Sequence, residues 1–290
     1  MKTKITGLSG NETVYYAAKA CNKYERSIIL VSDTEAAVRF EDDLTYFTSK
    51  EIIVIREEID DNITHDKIRL LRKFYENEEL VLIIPVTEAI KKYPSPENYR
   101  KDILSISGGD ELPPYDLREK LTNLGYAMKE MAESCGDISS RGDILDVFVA
   151  GDEYPTRIEF FGDNIDSIRQ YEPDSQRSIK KLDKIRIVPA IFYKKDTYIS
   201  DYLSEDDVVI ICDPPRLRDK ITEANEYEGI EDFESFMKIK TDQIVYSSFD
   251  YIEKEGVKFD KVIPSNISRM SSFNGQLKLL VTEIKKLEEK

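Results

Sequence analysis

The strongest constraint on the fold is a series of short apolar runs, each rich in β-branched residues and each followed by a helical pattern. Three such runs precede residue 90: SIILV at 27–31, EIIVIR at 51–56 and LVLIIP at 80–85. Runs of this kind are typical of strands buried on both faces of a parallel sheet. Residues 34–44 and 64–77 carry apolar residues at helical spacing, and Asn11 and Asp33 are candidate helix caps. The pattern predicts an α/β unit over residues 1–102.

The alternation stops near residue 103 and resumes near residue 191. In between, Gly-Asp pairs at 136, 142, 151 and 162 separate short segments, a pattern that predicts strands joined by tight turns. One helix is expected there, over 116–124. Beyond 190, the run DVVIIC at 207–212 predicts a further buried strand. We therefore predict an α/β fold in which two half-domains, 1–102 and 191–290, flank an inserted β-rich α+β module at 103–190.

Composition excludes several classes of site. The chain has 290 residues, a net charge of -15, three Cys and a single His, His65. The Cys are far apart, so no Cys/His metal cluster or CxxC redox pair arises from neighbouring side chains, and we predict no metal site. The negative charge opposes non-specific binding to nucleic acid. Scattered thiols, and the absence of an apolar run long enough for a signal peptide or a membrane span, predict a cytoplasmic protein that does not contact membranes.

A turn near the N-terminus has the position, but not the chemistry, of a phosphate-binding loop. Gly7, Gly10 and Thr13 lie between a short extended segment and a helix. A working loop needs a Lys that reaches the β and γ phosphates, and this turn has none. Glu12 adds a negative charge in the first helical turn, which repels a polyphosphate. We predict an inactive turn that is either an ordinary strand-to-helix connection or the remnant of an ATPase loop. No catalytic residue and no cofactor are expected.

The segment RIEFFG, residues 157–162, places an aromatic ring among charges. Alternation along a strand puts Arg157, Glu159 and Phe161 on one face. Arg141 lies in the preceding strand-turn region and could reach the same surface. Arginine beside a large apolar side chain is the composition of interface hot spots. The spacing alone leaves two alternatives open: the ring is an interface anchor, or a neighbouring helix or domain covers it.

At these residues a family resemblance appears. GDISSRGDILDVF at 136–148, RIEFFGDNIDSIR at 157–169, DSQRS at 174–178 and IVPA at 187–190 resemble the UvrB-homology region of the bacterial transcription-repair coupling factors, the Mfd family. The start GLSG at 7–10, PVTEA at 85–89 and SFNG at 272–275 are similar to that region too, so the resemblance covers nearly the whole chain. UvrB itself is similar only in part, because its phosphate-loop Lys is absent here.

The resemblance implies a helicase-like parallel sheet with helices on both faces and no ATPase activity in this region. It also implies that the inserted module imitates UvrB and binds UvrA, so that nucleotide-excision repair is recruited to stalled RNA polymerase. The family's UvrA-contacting positions fall on Arg141, Arg157 and Phe161. In the family, a C-terminal domain holds this surface shut, and RNA polymerase and DNA are engaged by domains that lie downstream of this region.

Two other functions stay open on the sequence: a nucleotide-binding protein, and a DNA-binding damage-recognition protein like intact UvrB. The net charge and the lack of room at 56–64 for an aromatic DNA-clamping hairpin oppose the second. An amphipathic pattern at 271–290 predicts a terminal helix, as in a longer chain or a docked end. Whether Tyr126, Met128 and Met131 belong to the core or to a docking surface is likewise undecided.

Overall fold

The computed structural model describes most of the chain. The described residues are 1–8, 11–57, 65–76, 78–192, 194–224, 241–247, 258–265, 278, 281, 282 and 285.

Strands and helices alternate at both ends of the chain, and strands dominate the middle. The strands are β1 Lys2–Thr6, β2 Arg26–Val31, β3 Ile52–Val54, β4 Leu80–Pro85, β5 Lys92–Tyr93, β6 Leu104–Ser107, β7 Ala127–Met128, β8 Asp137–Arg141, β9 Ile144–Val147, β10 Thr156–Phe161, β11 Asn164–Tyr171, β12 Ser178–Leu182, β13 Lys184–Ile187, β14 Thr197–Tyr198, β15 Val208–Cys212, β16 Asp242–Ser247 and β17 Lys261–Pro264. The helices are α1 Glu12–Cys21, α2 Thr34–Leu44, α3 His65–Glu76, α4 Val86–Ala89, α5 Pro96–Lys101, α6 Pro114–Asn123 and α7 Pro214–Ala224, with a 3₁₀ turn at Ile199–Tyr202.

A parallel sheet of seven described strands, in the order β17-β1-β16-β15-β2-β4-β3, is built from both ends of the chain. Every neighbouring pair in it is parallel. Strand β15, which follows the middle segment, inserts beside β2, and β1 lies between β16 and β17. The two predicted half-domains therefore contribute to one sheet.

Helices cover both faces of this sheet, as predicted. Alternate residues of β2 enter different cores: Ile28 and Leu30 pack with α3 and α7, whereas Ile29 and Val31 pack with α1 and α2. The side chains of β4 alternate between the two cores in the same way. Because each central strand is buried on both sides, its sequence is a continuous apolar run. The α/β class and the helicase-like architecture are thus confirmed.

The middle segment forms a second sheet, with the described order β12-β11-β10-β9-β8-β7. Its pairs are antiparallel except β7–β8. One face is apolar and carries Ile138, Leu145 and Ile158, each fully buried. Helix α6 packs against β8 and β9, and its Leu117 and Leu121 are buried in the same core. That core is continuous with the one under α3, so the module is fixed to the parallel sheet.

Charged contacts join parts of the chain that are remote in sequence. Arg26 of β2 donates through Nε and Nη2 to the two carboxylate oxygens of Asp207, both at 2.8 Å, and both side chains are buried. Arg72 of α3 pairs with Asp152 of the module. His65 begins α3, and its Nδ1 accepts from the backbone N–H of Gly151 at 3.3 Å. These bonds connect the inserted module to α3, and they connect the residue that precedes β15 to β2.

Local predictions agree with the structure in most places. Asp33 caps α2 by accepting from the N–H of Ala36 at 2.8 Å, whereas the side chain of Asn11 makes no capping bond to α1. Helix α6 begins at Pro114, two residues before its predicted start. The predicted terminal helix lies mostly outside the described residues, although positions 278, 281, 282 and 285 are helical. Across the described part of the chain, no helix has the length and apolar character needed to cross a membrane.

Candidate protein-interaction site

The second face of the six-stranded sheet is polar, and its side chains form rows across the strands. Strand register places Ser139, Asp146, Arg157, Arg169 and Lys181 opposite one another in one row. We call this side of the sheet the polar face. The sheet has one apolar and one polar face because its strands alternate apolar and polar residues. The alternation predicted for 157–162 is therefore confirmed.

Phe161 projects from the end of the polar face. It is the last residue of β10 and is 82% exposed, whereas the adjacent Phe160 is 6% exposed. The hairpin turn that follows starts at Gly162, whose φ of +62° suits a first turn residue in the left-handed region. Of the two alternatives that the spacing left open, coverage of the ring by a neighbouring helix is wrong for the described part of the chain. The ring is therefore exposed, and its role as an interface anchor stays a prediction.

Arg157 is on the same face, but it is not a free cation. Its Nε and Nη2 donate to the two carboxylate oxygens of Asp146, both at 2.7 Å, and Nη2 also donates to Oε1 of Gln176 at 2.7 Å. Its guanidinium carbon lies 4.5 Å from the centroid of the Tyr171 ring. Only 17% of the side chain is exposed. These contacts fix the guanidinium in one position.

Electrostatics reinforces this arrangement. The hydrogen bonds to Asp146 raise the pKa of Arg157 above its ordinary value, and burial raises the pKa of Tyr171 to about 12. One row further along, Glu159 accepts from Ser167 and from both terminal nitrogens of Arg169, each at 2.6 Å. Those bonds hold the pKa of Glu159 below its ordinary value. Both shifts favour the charged forms of Arg157 and Glu159.

Arg141 ends β8 one row from Arg157. It is exposed, and its Nη2 donates to the backbone carbonyl of Glu130 at 2.6 Å. A pocket of about 230 Å³ lies between the two arginines. The pocket is lined by Met131, Ser139, Arg141, Ile144, Asp146, Arg157, Tyr171 and Gln176. Arg141, Arg157 and Phe161 thus lie on one face, and the two arginines line a pocket that also has apolar walls.

The undecided residues divide between core and surface. Tyr126 is 2% exposed, and its hydroxyl donates to the carbonyl of Val188 at 2.7 Å, so it belongs to the core. Met128 and Met131 are 48% and 39% exposed, and Met131 lines the pocket. Flexible thioether side chains adapt to different partner shapes. Met131 therefore extends the apolar part of the candidate surface.

Sequence reasoning missed the residues that hold Arg157. Asp146 alternates between the apolar Leu145 and Val147, a signal that places it on the polar face, but the pairing of β9 with β10 was needed to bring it opposite Arg157. Gln176 lies in a turn with φ +57°. No local pattern indicates that its amide reaches Arg157.

The glycine turn at the N-terminus packs closely against the end of β17. Gly7 has φ +81°, and a Cβ placed there would lie 3.1 Å from Oγ of Ser265. That hydroxyl donates to the Gly7 carbonyl at 2.9 Å. Thr13 lies in the first turn of α1, and Gly10 lies outside the described residues. The expectation of an inactive phosphate loop thus remains a prediction.

A second pocket, of about 380 Å³, opens beside this turn at the carboxyl ends of β2 and β15. Asn11 and Thr13 contribute to one side, and Asp213 and Arg216 to the other. Asp213 has φ +56° and donates its N–H to the Tyr246 carbonyl at 2.9 Å. Crevices at this edge of an open parallel sheet are common ligand sites, but the described residues that line this one include no Lys.

Comparison with known proteins places these features in a family context. Residues 104–193 match the UvrB interaction domain family. The chain is 27% identical over 197 residues to the transcription-repair-coupling factor of Bacillus subtilis, covering 64% of this chain and 17% of that protein. It is 24% identical to the factor of Escherichia coli, over 77% of this chain and 21% of that protein. For the factor of Haemophilus influenzae the identity is 25%, over 81% of this chain and 21% of that protein.

The chain spans about one fifth of the length of these relatives. The matched domain coincides with the segment that carries the polar face, Arg141, Arg157 and Phe161. The resemblance inferred from the sequence motifs is therefore confirmed: residues 104–193 match the UvrB interaction domain family, within a region similar to part of the transcription-repair-coupling factors.

Proposed function

We propose that this chain is a non-catalytic UvrB-like module that binds UvrA and thereby recruits nucleotide-excision repair to stalled RNA polymerase. The observation that carries the proposal is the 82% exposure of Phe161 on a face whose charged neighbours are otherwise held in place. Exposed rings beside arginines are typical of the residues that dominate binding energy. In this proposal Phe161 is the anchor, and Arg141 and Arg157 supply cations around the adjoining pocket.

Preorganisation makes this face suited to a protein partner. Arg157 is already fixed by Asp146 and Gln176, so binding requires little further loss of its rotamer freedom. The pocket between the arginines offers apolar walls from Met131 and Ile144. A partner segment with an apolar side chain next to a carboxylate would fit both features: the apolar side chain would enter the pocket, and the carboxylate would meet the arginines. A module that only needs to dock requires no catalytic group, in keeping with the missing phosphate-loop Lys.

We propose the same three units as the sequence predicts: residues 1–102 and 191–290 as the scaffold, and 103–190 as the UvrA-binding module. The remaining C-terminal domains of the family would cover the polar face until release. RNA polymerase and DNA would be engaged by those other domains. The module would act in the cytoplasm, where the three thiols stay reduced.

Titration of the chain with purified UvrA tests the proposal. Phe161→Ala should weaken binding at least tenfold, because truncating an anchor typically costs about 2 kcal/mol or more. Tyr46→Ala is the matched control, since Tyr46 is 85% exposed but is at the end of α2, away from the polar face. Equal affinities for Phe161→Ala and the unchanged chain would remove the anchor role. If the unchanged chain does not bind UvrA at all, the proposed function is wrong.

A further inference from the structure

A strongly basic segment runs along one edge of the six-stranded sheet. Residues 177–186 contain five basic side chains and one acidic side chain, in a chain whose net charge is -15. Arg177, Lys180, Lys181 and Lys184 are all exposed. We call these four residues the basic edge. The local charge of this segment is thus opposite in sign to the net charge of the chain.

The cations of the basic edge are not used inside the molecule. None of their four side chains has a hydrogen-bond or ion-pair partner among the described residues. The arginines of the neighbouring strands differ, since Arg157 pairs with Asp146 and Arg169 with Glu159. Lys181 even lies directly opposite Arg169, and like charges in that position are destabilising. The basic edge therefore does not contribute to folding through charge pairing.

The backbone of the same segment is open to a partner. Strand β12 is the last strand of its sheet in the described part of the chain, so its outer edge presents N–H and C=O groups that no strand pairs. Ile179 of β12 is 49% exposed. Lys180 and Lys181 are successive residues, and their side chains therefore leave opposite faces of the strand. A strand added at this edge would meet a cation on each of its faces.

We propose that the basic edge binds an acidic polypeptide segment, which adds to β12 as a further strand. Main-chain bonds to β12 would supply affinity, and carboxylates facing Lys180 and Lys181 would supply selectivity. An apolar side chain of the segment would cover Ile179. This surface is distinct from the proposed UvrA anchor at Phe161, which ends a strand two positions further into the sheet.

A polypeptide fits these observations better than nucleic acid does. The net charge of -15 repels a phosphate polymer, whereas a short acidic segment meets mainly the local field. Nucleic acid would also leave the open backbone edge and Ile179 without a role. The alternative is that these lysines only keep the edge strand from pairing with other chains and so prevent aggregation. In that case no ligand binds there.

The experiment uses the 290-residue chain and a labelled ten-residue peptide of alternating Glu and Val, followed by fluorescence anisotropy near physiological salt. A second peptide with the same charge has two valines replaced by proline, so that it cannot pair as a strand. A 20-base-pair DNA duplex is the third probe. Two variants are compared with the unchanged chain: Lys180→Glu/Lys181→Glu, and the control Lys120→Glu/Lys261→Glu, which alters the net charge equally at exposed lysines elsewhere.

We expect saturable binding of the first peptide, at least tenfold weaker binding of the proline peptide, and at least a tenfold loss in Lys180→Glu/Lys181→Glu but not in the control. Hydrogen exchange should show peptide-dependent protection of amides within 178–182. Absence of peptide binding, equal loss in the two double variants, or binding of DNA alone without amide protection would each overturn the proposal. Circular dichroism of each variant checks that the exposed substitutions leave the fold intact.

Discussion

Arg157 and Asp146, on the adjacent strands β10 and β9, form a two-point ion pair with both N···O distances at 2.7 Å. The guanidinium also stacks on Tyr171. The side chains of the pair are 17% and 13% exposed, so the pair is neither fully solvated nor fully buried. The same residue can therefore serve the stability of the module and the binding of a partner, and the two roles call for separate measurements.

Removing only one member of this pair should destabilise the chain. Arg157→Ala should lower the free energy of unfolding by about 1–3 kcal/mol, because it leaves the Asp146 carboxylate partly buried without its donors. Arg157→Ala/Asp146→Ala should recover part of that loss, since no unpaired charge remains. Urea unfolding followed by circular dichroism measures both. Asp146→Ala completes the cycle: if the loss in the double variant equals the sum of the losses in the two single variants, the two residues are not coupled.

Binding should follow a different pattern from stability. UvrA affinity should fall at least tenfold in Arg157→Ala and should stay low in Arg157→Ala/Asp146→Ala, because neither variant has the guanidinium. A recovery of affinity together with stability would mean that Arg157 acts only by supporting the sheet. Isothermal titration of the folded variants with UvrA separates these outcomes.

Adjacent phenylalanines provide a test of the polar face. Phe161→Ala should change the free energy of unfolding by no more than about 0.5 kcal/mol, because the ring is exposed. Phe160→Ala should cost about 3–5 kcal/mol, because its ring fills the apolar core of the sheet. Thermal and urea unfolding would show the contrast. Similar losses in the two variants would mean that Phe161 is packed.

The buried pair between Arg26 and Asp207 should be the most sensitive charged contact tested. Asp207→Ala should cost about 3–5 kcal/mol, because it leaves the Arg26 guanidinium buried and unpaired. Arg39→Ala is the control: Arg39 pairs with Glu35 on the exposed side of α2, a contact worth no more than about 0.5 kcal/mol. Comparison of urea midpoints tests the difference. A small effect of Asp207→Ala would show that the pair does not hold β15 against β2.

Acid should weaken the contact between Glu159 and Arg169 in a defined window. The folded-state pKa of Glu159 lies below its ordinary value, so its stabilisation is present above that ordinary value and is lost as the pH falls through the folded-state pKa. In Glu159→Gln, the decline of stability below about pH 4.5 should be shallower than in the unchanged chain. Unfolding free energies between pH 3 and 7 measure this. Parallel pH profiles for the two proteins would count against the predicted shift.

The glycine turn at Gly7 should not bind nucleotide. With no Lys to reach the phosphates and with Glu12 in the first turn of α1, calorimetry with ATP and magnesium should give no saturable heat at millimolar nucleotide. The measurement is informative because the pocket beside Thr13, with a volume of about 380 Å³, is large enough for a small ligand. Micromolar binding that is lost in Thr13→Ala would instead support the nucleotide-binding alternative.

Much of the fold follows from local patterns in the sequence. The apolar runs at β2, β4 and β15 indicate strands buried on both sides, and alternation in β10 separates Phe160 from Phe161. These patterns act over a few residues and can be read directly. The sheet order cannot, because β1 finds its partners β16 and β17 at the far end of the chain.

The candidate site could be predicted only in part, for the same reason. Alternation within one strand places Phe161 on the charged face but leaves its exposure open. The restraint of Arg157 depends on Asp146, Tyr171 and Gln176, which three other segments contribute. The basic edge is plain in the sequence at 177–186. Its position on an outer strand appears only once the strand order is known.

The position of β1 between β16 and β17 affects how the chain is made. Met1 and Asp242, which form an ion pair, are 241 positions apart. At about 5–20 residues per second, a ribosome needs roughly 12–48 s to supply that partner. The six-stranded sheet consists of contiguous residues and can close earlier during translation. A nascent chain in this interval would therefore carry a finished β module next to an incomplete parallel sheet, whose apolar strands are natural targets for chaperones.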